Sequence, residues 1–188
     1  GNGSLPSGIY ESEIYHVTGN INIASGDTVI LQPGTQFLFD QGVNFIIEGI
    51  LKAEGTEQDS IIFDTYLTLG NCETLDEQEC NFDDNCYWAM EAFSAGAAVC
   101  LDQNRWGGII LDGVSSETIF QYVSISGVLN TAGGGGLLMQ NSSPSLTNVR
   151  ISNNRVLLRG GGLSLLNSNP FIEDVTISDN LVLPTSMI

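Results

Sequence analysis

The stretch Gly134–Asn154, GGGLLMQNSSPSLTNVRISNN, recurs as Gly160–Asn180, GGGLSLLNSNPFIEDVTISDN, with 11 of 21 positions identical at a uniform offset of 26 residues. A repeat this short, built of paired strands bounded by Gly, Asn and Pro, cannot enclose its own apolar face. It becomes stable only when neighbouring copies stack on it. The spacing therefore predicts a coil with one copy per turn, in which each copy reads as strand, corner, strand, loop. In Val149-Arg150-Ile151 and Val175-Thr176-Ile177 apolar and polar residues alternate, the period of a half-buried strand, so Val and Ile face in while Arg150 and Thr176 face out. The same offset reaches back to Val123-Ser124-Ile125 and places Val123, Ile151 and Ile177 among the residues expected in buried columns.

Leu137 and Met139 pair with Leu163 and Leu165, and Ile109 and Leu111 join them after a two-residue change of length. Between the strands lie Asn141-Ser142-Ser143-Pro144 and Asn167-Ser168-Asn169-Pro170, residues that tolerate tight corners. With a rise of about 4.8 Å per turn, Asn141 lies under Asn167 and Asn154 under Asn180, where side-chain amides satisfy one another. The first sixty residues follow the same physics with looser repetition: Ile21 and Ile23, Val29 and Leu31, Phe37 and Phe39, Phe45 and Ile47, Ile61 and Phe63. Turn residues at 25–27, 32–34, 40–42 and 54–56 punctuate these pairs.

The run NINIASGDTVILQPGTQFLFDQGVNFIIEGILKAEGTEQDSIIFDT, then WGGIILDG, then the GGGL…NSSP…ISNN copies, resembles secreted right-handed parallel β-helix proteins of the pectin-lyase-like superfamily. More narrowly it is similar to the repeat-rich surface proteins of environmental bacteria and to the polymorphic outer-membrane protein type. The resemblance covers residues 15–64 and 105–181 and implies an all-β, right-handed parallel β-helix. Because that superfamily holds lyases, hydrolases, adhesins and scaffold segments, it implies no single activity.

At 188 residues with 42% apolar content, the chain fits one β-helix domain over 1–188, interrupted by a cysteine-bearing acidic insertion at 65–104. Five Lys plus Arg against 22 Asp plus Glu give a net charge of −17, which repels phosphate backbones and anionic lipid and argues against nucleic acid as a partner. No apolar run approaches 18 residues, so membrane insertion by a helix is not expected. The first residues lack a basic and apolar leader, and after Asn180 the chain stops where the previous copy began another turn. The expectation is a processed chain or a piece of a longer coil, with copies of itself or further rungs meeting its ends.

All four cysteines, Cys72, Cys80, Cys86 and Cys100, fall in the insertion and none in a repeat. With no paired C-x2-C to hold zinc, two disulfides are expected, in any of three pairings, which places the chain outside the cell or at its surface. Residues 64–104 hold nine acidic side chains and no Lys or Arg. Asp76, Glu77, Glu79, Asp83 and Asp84 offer the hard oxygen ligands that calcium takes, against the alternative of a solvated acidic surface. Tyr87 and Trp88 form either a platform on which a glycan stacks or the miniature core of the insertion.

The remaining candidates read as structure. His16 has no Ser or Cys arranged around it, and the glycine runs 133–136 and 160–162 lack the Lys-Ser or Lys-Thr of a phosphate cradle; positive φ at a sharp corner explains them better. Arg150 is expected to pair with Glu173 or Asp174 at the surface. Polysaccharide lyase chemistry needs a cationic base and cations to neutralise a uronate, and only Lys52, Arg105, Arg150, Arg155 and Arg159 are available. The preferred reading is a non-catalytic extracellular structural or adhesive module, self-assembling end to end or forming part of a longer surface protein. The alternative is a module that binds or cleaves polysaccharide.

Overall fold

The computed structural model describes residues 3–67, 72, 75–90, 98–130 and 133–182. They form a parallel β-solenoid of about six turns. One face is a six-stranded parallel sheet running, in spatial order, through Gly3–Ser4, Ile21–Ile23, Asn44–Ile47, Gly108–Asp112, Leu137–Gln140 and Leu163–Leu166. A second, bent face carries Gly8–Tyr10, Thr28–Leu31 and Ile50–Glu54 in one arm and Ile14–Val17, Gln36–Phe39 and Ile61–Thr65 in the other. The long strand Ile119–Ile125 joins both arms, pairing with Ile50–Glu54 through its first half and with Ile61–Thr65 through its second. A short third face stacks Leu129–Asn130, Arg155–Val156 and Leu181–Val182.

The register follows the repeat. Val123 lies beside Val149 and Ile125 beside Ile151, while Leu137 and Met139 lie beside Leu163 and Leu165. Ile109 aligns with Phe45 on one side and with Leu137 on the other, so the turn closes over the whole insertion without losing its column. Inside, Phe37, Phe39, Phe45, Phe63 and Trp106 fill the upstream half, and Ile109, Leu111, Leu137, Met139, Val149 and Ile151 fill the downstream half, all buried. Trp106 stacks on Phe39 at 4.2 Å between ring centroids, and its Nε1 donates to the Ser126 carbonyl at 2.6 Å. The indole thus seats the chain where the coil resumes.

Corners recur as columns of left-handed residues. Gly113, Asn141 and Asn167 form one; Tyr122, Asn148 and Asp174 a second; Gly127, Asn153 and Asp179 a third. Asn and Asp occupy this region at lower cost than other side-chain-bearing residues, because their short polar groups bond locally. The second column lies inside what reads as continuous strand and bends it. In the glycine runs, positive φ is confined to Gly133, Gly134 and Gly160. At Gly135 the requirement is space, since a Cβ there would sit 1.8 Å from the Gly161 carbonyl oxygen.

The asparagine ladder forms at Asn154 and Asn180 but not at Asn141 and Asn167, which share a left-handed corner without a hydrogen bond between their amides among the described residues. Asn154 Nδ2 donates to Asn180 Oδ1 at 3.0 Å and to the Ile125 carbonyl at 3.3 Å, while its Oδ1 accepts the Val128 N–H at 3.1 Å. Asn180 repeats the pattern, donating to the Ile151 carbonyl at 2.9 Å.

Two expectations are corrected. Ile177 does not share the burial of Val123 and Ile151: it is 50% exposed, because it lies on the last described turn and no described rung covers it. Arg150 forms no ion pair with Glu173 or Asp174 among the described residues; it lies in register with Thr176 and its Nε donates to Ser152 Oγ at 3.3 Å. That hydrogen bond to a neighbour two residues away lays the guanidinium along its own strand.

Candidate functional site

The insertion is organised by its bridges, Cys72–Cys86 and Cys80–Cys100, which close loops of 14 and 20 residues. The four cysteines form a second buried cluster with Leu75 and Trp88 packed against it. A short helix, Glu77–Phe82, begins at Asp76, whose carboxylate accepts the Glu79 N–H at 2.9 Å while the Glu79 side chain accepts the Asp76 N–H at 3.2 Å. This reciprocal cap holds Cys80 on the helix for its bridge. An antiparallel hairpin, Cys86–Met90 with Ala98–Asp102, presents the other two partners.

The five acidic residues named for calcium divide between roles. Asp76 and Glu79 form the cap, and Asp83 Oδ1 accepts from the Asn85 backbone and side-chain nitrogens at 2.9 and 3.1 Å. Glu79, Asp83 and Asp84 line an open hollow of about 540 Å3 with Leu75 and Asn85, whereas Glu77 does not line it. Among the described residues, the set of three or more potential ligands whose atoms lie within 4.8 Å of one another is Cys72, Cys86 and Cys100, which are bridged. Glu73, Glu91 and the side chain of Tyr87 lie outside the described residues. Trp88 is half-buried against the sulfurs.

The two ends of the described coil differ. At the first turn Tyr10 and Tyr15 meet edge to face at 5.8 Å, and Tyr15 stacks on Phe37 at 5.0 Å. Their hydroxyls donate to the Pro6 and Glu11 carbonyls. Burial, reinforced by Tyr15, raises the Tyr10 phenol above its ordinary value; burial, then the Glu13 and Glu11 charges, raises that of Tyr15. Beside them a cleft of about 360 Å3 is lined by Leu5, Tyr15, His16, Thr18, Ile21 and Phe37 among others. At the last described turn Leu165, Leu166, Phe171, Ile172 and Ile177 are between 44% and 58% exposed.

His16, on the outer flank, meets Asp40 Oδ1 through Nε2 at 2.7 Å and stacks on Tyr66 at 3.5 Å, a surface arrangement as its sequence context implies. Sequence reasoning missed the buried arginines. Arg105 donates to the Asn153 carbonyl at 2.7 Å and Arg155 to the Asp179 carbonyl at 2.9 Å, each reaching a left-handed corner residue. The available signal was position: Arg105 directly precedes Trp106, which bridges to Val128, and Arg155 opens the third-face strand Arg155–Val156.

No family model matches the chain, and no solved structure does. The protein named bark beetle of Drosophila melanogaster is 40% identical over 63 residues, covering 34% of this chain and 2% of that protein. The likeness is thus to a small part of a far longer polypeptide.

Proposed function

We propose that this chain is a non-catalytic structural and adhesive module of the extracellular surface, a β-helix of the pectin-lyase-like kind whose work is done by stacking against further rungs. The observation that carries this reading is the last described turn. Leu165 and Ile177 stand in register with Met139 and Ile151, which are buried, yet are themselves half exposed. Burying apolar area contributes about 25 cal/mol per Å2, and an unpaired strand edge favours strand addition. The fitting partner is another rung of the same geometry, from a second copy or from a longer chain of the same kind. Two cysteine bridges suit an oxidising compartment, which supports the extracellular placement.

Light scattering after size exclusion, across a concentration series, tests the reading together with negative-stain imaging. The expected result is a mass that rises above the 20.1 kDa of one chain, with particles joined through coil ends. Phe171→Asp with Ile177→Asp should return the monomer. A concentration-independent wild-type monomer whose end binds no apolar dye would overturn it.

A further inference from the structure

We propose that Asn141 is an acceptor for an N-linked glycan. The inference rests on the extracellular reading above and adds to it a covalent modification at a defined corner.

Asn141-Ser142-Ser143 has the Asn-x-Ser form that oligosaccharide transfer requires, with a residue other than proline in the middle. The fold presents it suitably. Asn141 is exposed at a left-handed corner, φ 49°, between strands Leu137–Gln140 and Ser145–Ser152. Its backbone N–H is committed to the Leu166 carbonyl at 2.9 Å, but its side-chain amide has no hydrogen-bond partner among the described residues. Ser142 turns the other way: it is fully buried, its Oγ donates to the Gln140 carbonyl at 2.6 Å, and it accepts the Val114 N–H at 3.2 Å. Pinning the middle residue leaves Asn141 and Ser143 both open to solvent.

The contrast with the other repeat asparagines is chemical. Asn154 and Asn180 use their amides inside the coil, so neither could carry a substituent without breaking the ladder. Asn167 occupies the same corner column as Asn141 but is followed by Ser168-Asn169, which lacks the required hydroxyl two residues on. A glycan on Asn141 would project from the corner and leave the column beneath it intact.

In the transfer, Asn141 Nδ2 forms a bond to the anomeric carbon of a lipid-pyrophosphate-linked oligosaccharide. The bond from that carbon to the phosphate oxygen breaks, the lipid pyrophosphate leaves with the electron pair, and Nδ2 gives up one proton. Pro144 restricts Ser143 to extended backbone, so partial occupancy is expected.

The test is secretion of the 188-residue chain from a eukaryotic host. Because Asn2-Gly3-Ser4 also matches the motif, every variant carries Asn2→Gln. Intact mass should show a glycan increment that peptide N-glycosidase removes, leaving aspartate at position 141. Asn141→Gln and, independently, Ser143→Ala should abolish the increment, and Ser143→Thr should raise its occupancy. A secreted chain with both bridges formed and Asn141 unmodified would overturn the proposal alone. Retention inside the cell with free thiols would overturn the extracellular reading and this inference with it.

Discussion

The upstream and downstream halves of the coil solve the same packing problem differently. Upstream, rings fill the interior: Phe37 alone lies within 6.3 Å, centroid to centroid, of Phe39, Phe45 and Phe63. The lateral offset there varies, with Val29 beside Leu51, Ile21 beside Phe45 and Phe37 beside Phe63. Downstream, aliphatic chains fill most of it beside the single ring of Phe120, and the offset settles, with Leu137 beside Leu163, Val123 beside Val149 and Ile151 beside Ile177. A large ring spans neighbouring turns and absorbs irregular length. Short branched chains fill their space only in strict register, which the asparagine ladder and the left-handed corner columns supply.

Breaking the ring cluster should produce the largest effect. Phe37→Ala is expected to cost about 3–5 kcal/mol, against about 0.5–1.5 kcal/mol for Ile151→Val in the aliphatic half, both read by urea denaturation. Next, Cys80→Ala with Cys100→Ala should cost the insertion about 2–4 kcal/mol. Hydrogen exchange should then rise over 72–102 and stay unchanged in the coil, because both bridges close inside the insertion.

The ladder sharpens the contrast further. Asn154→Ala should cost about 1–3 kcal/mol, since it strands the Val128 N–H and the Ile125 carbonyl in a buried corner. Its upstream counterpart Asn20, which accepts the Asn44 N–H at 2.9 Å, should cost about 0.5–1.5 kcal/mol on the same change. Asn148→Ala at φ 54° should lose about 1–2 kcal/mol and Asn148→Gly less, by thermal melting.

The gentlest test uses pH. Tyr10 and Tyr15 have phenols raised above 10.0 in the folded state. Their contribution is therefore complete below pH 10.0 and is lost as pH rises through the folded values. Alkaline titration followed by phenolate absorbance should loosen the first turn before the downstream half responds.

Much of this architecture was legible. The alternation in Val149-Arg150-Ile151 and the second copy at a uniform offset set the strands, the inward columns and the corner at Asn141, and Asn154 over Asn180 followed from that offset. The bend at Tyr122, Asn148 and Asp174 was hidden because a single left-handed residue leaves the alternation on either side unbroken. The roles of Arg105 and Arg155 were hidden because a charged side chain reads as exposed until carbonyls converge on it. Pairing of the cysteines depended on the helix cap at Asp76 and on the hairpin, neither of which a Cys count encodes. For the acidic set, sequence located the residues but could not separate carboxylates spent on capping from those facing the hollow.

The backward reach of the ladder gives synthesis a direction. Asn154 and Asn180 each bond to the turn made before them, so an emerging polypeptide completes its predecessor's polar groups as it lays down the next layer. Apart from the turn that closes over the insertion, each layer closes a segment of similar length, and that closure cost grows only slowly with segment size. A nascent array can thus lengthen while the chain is still being made, without waiting for distant partners.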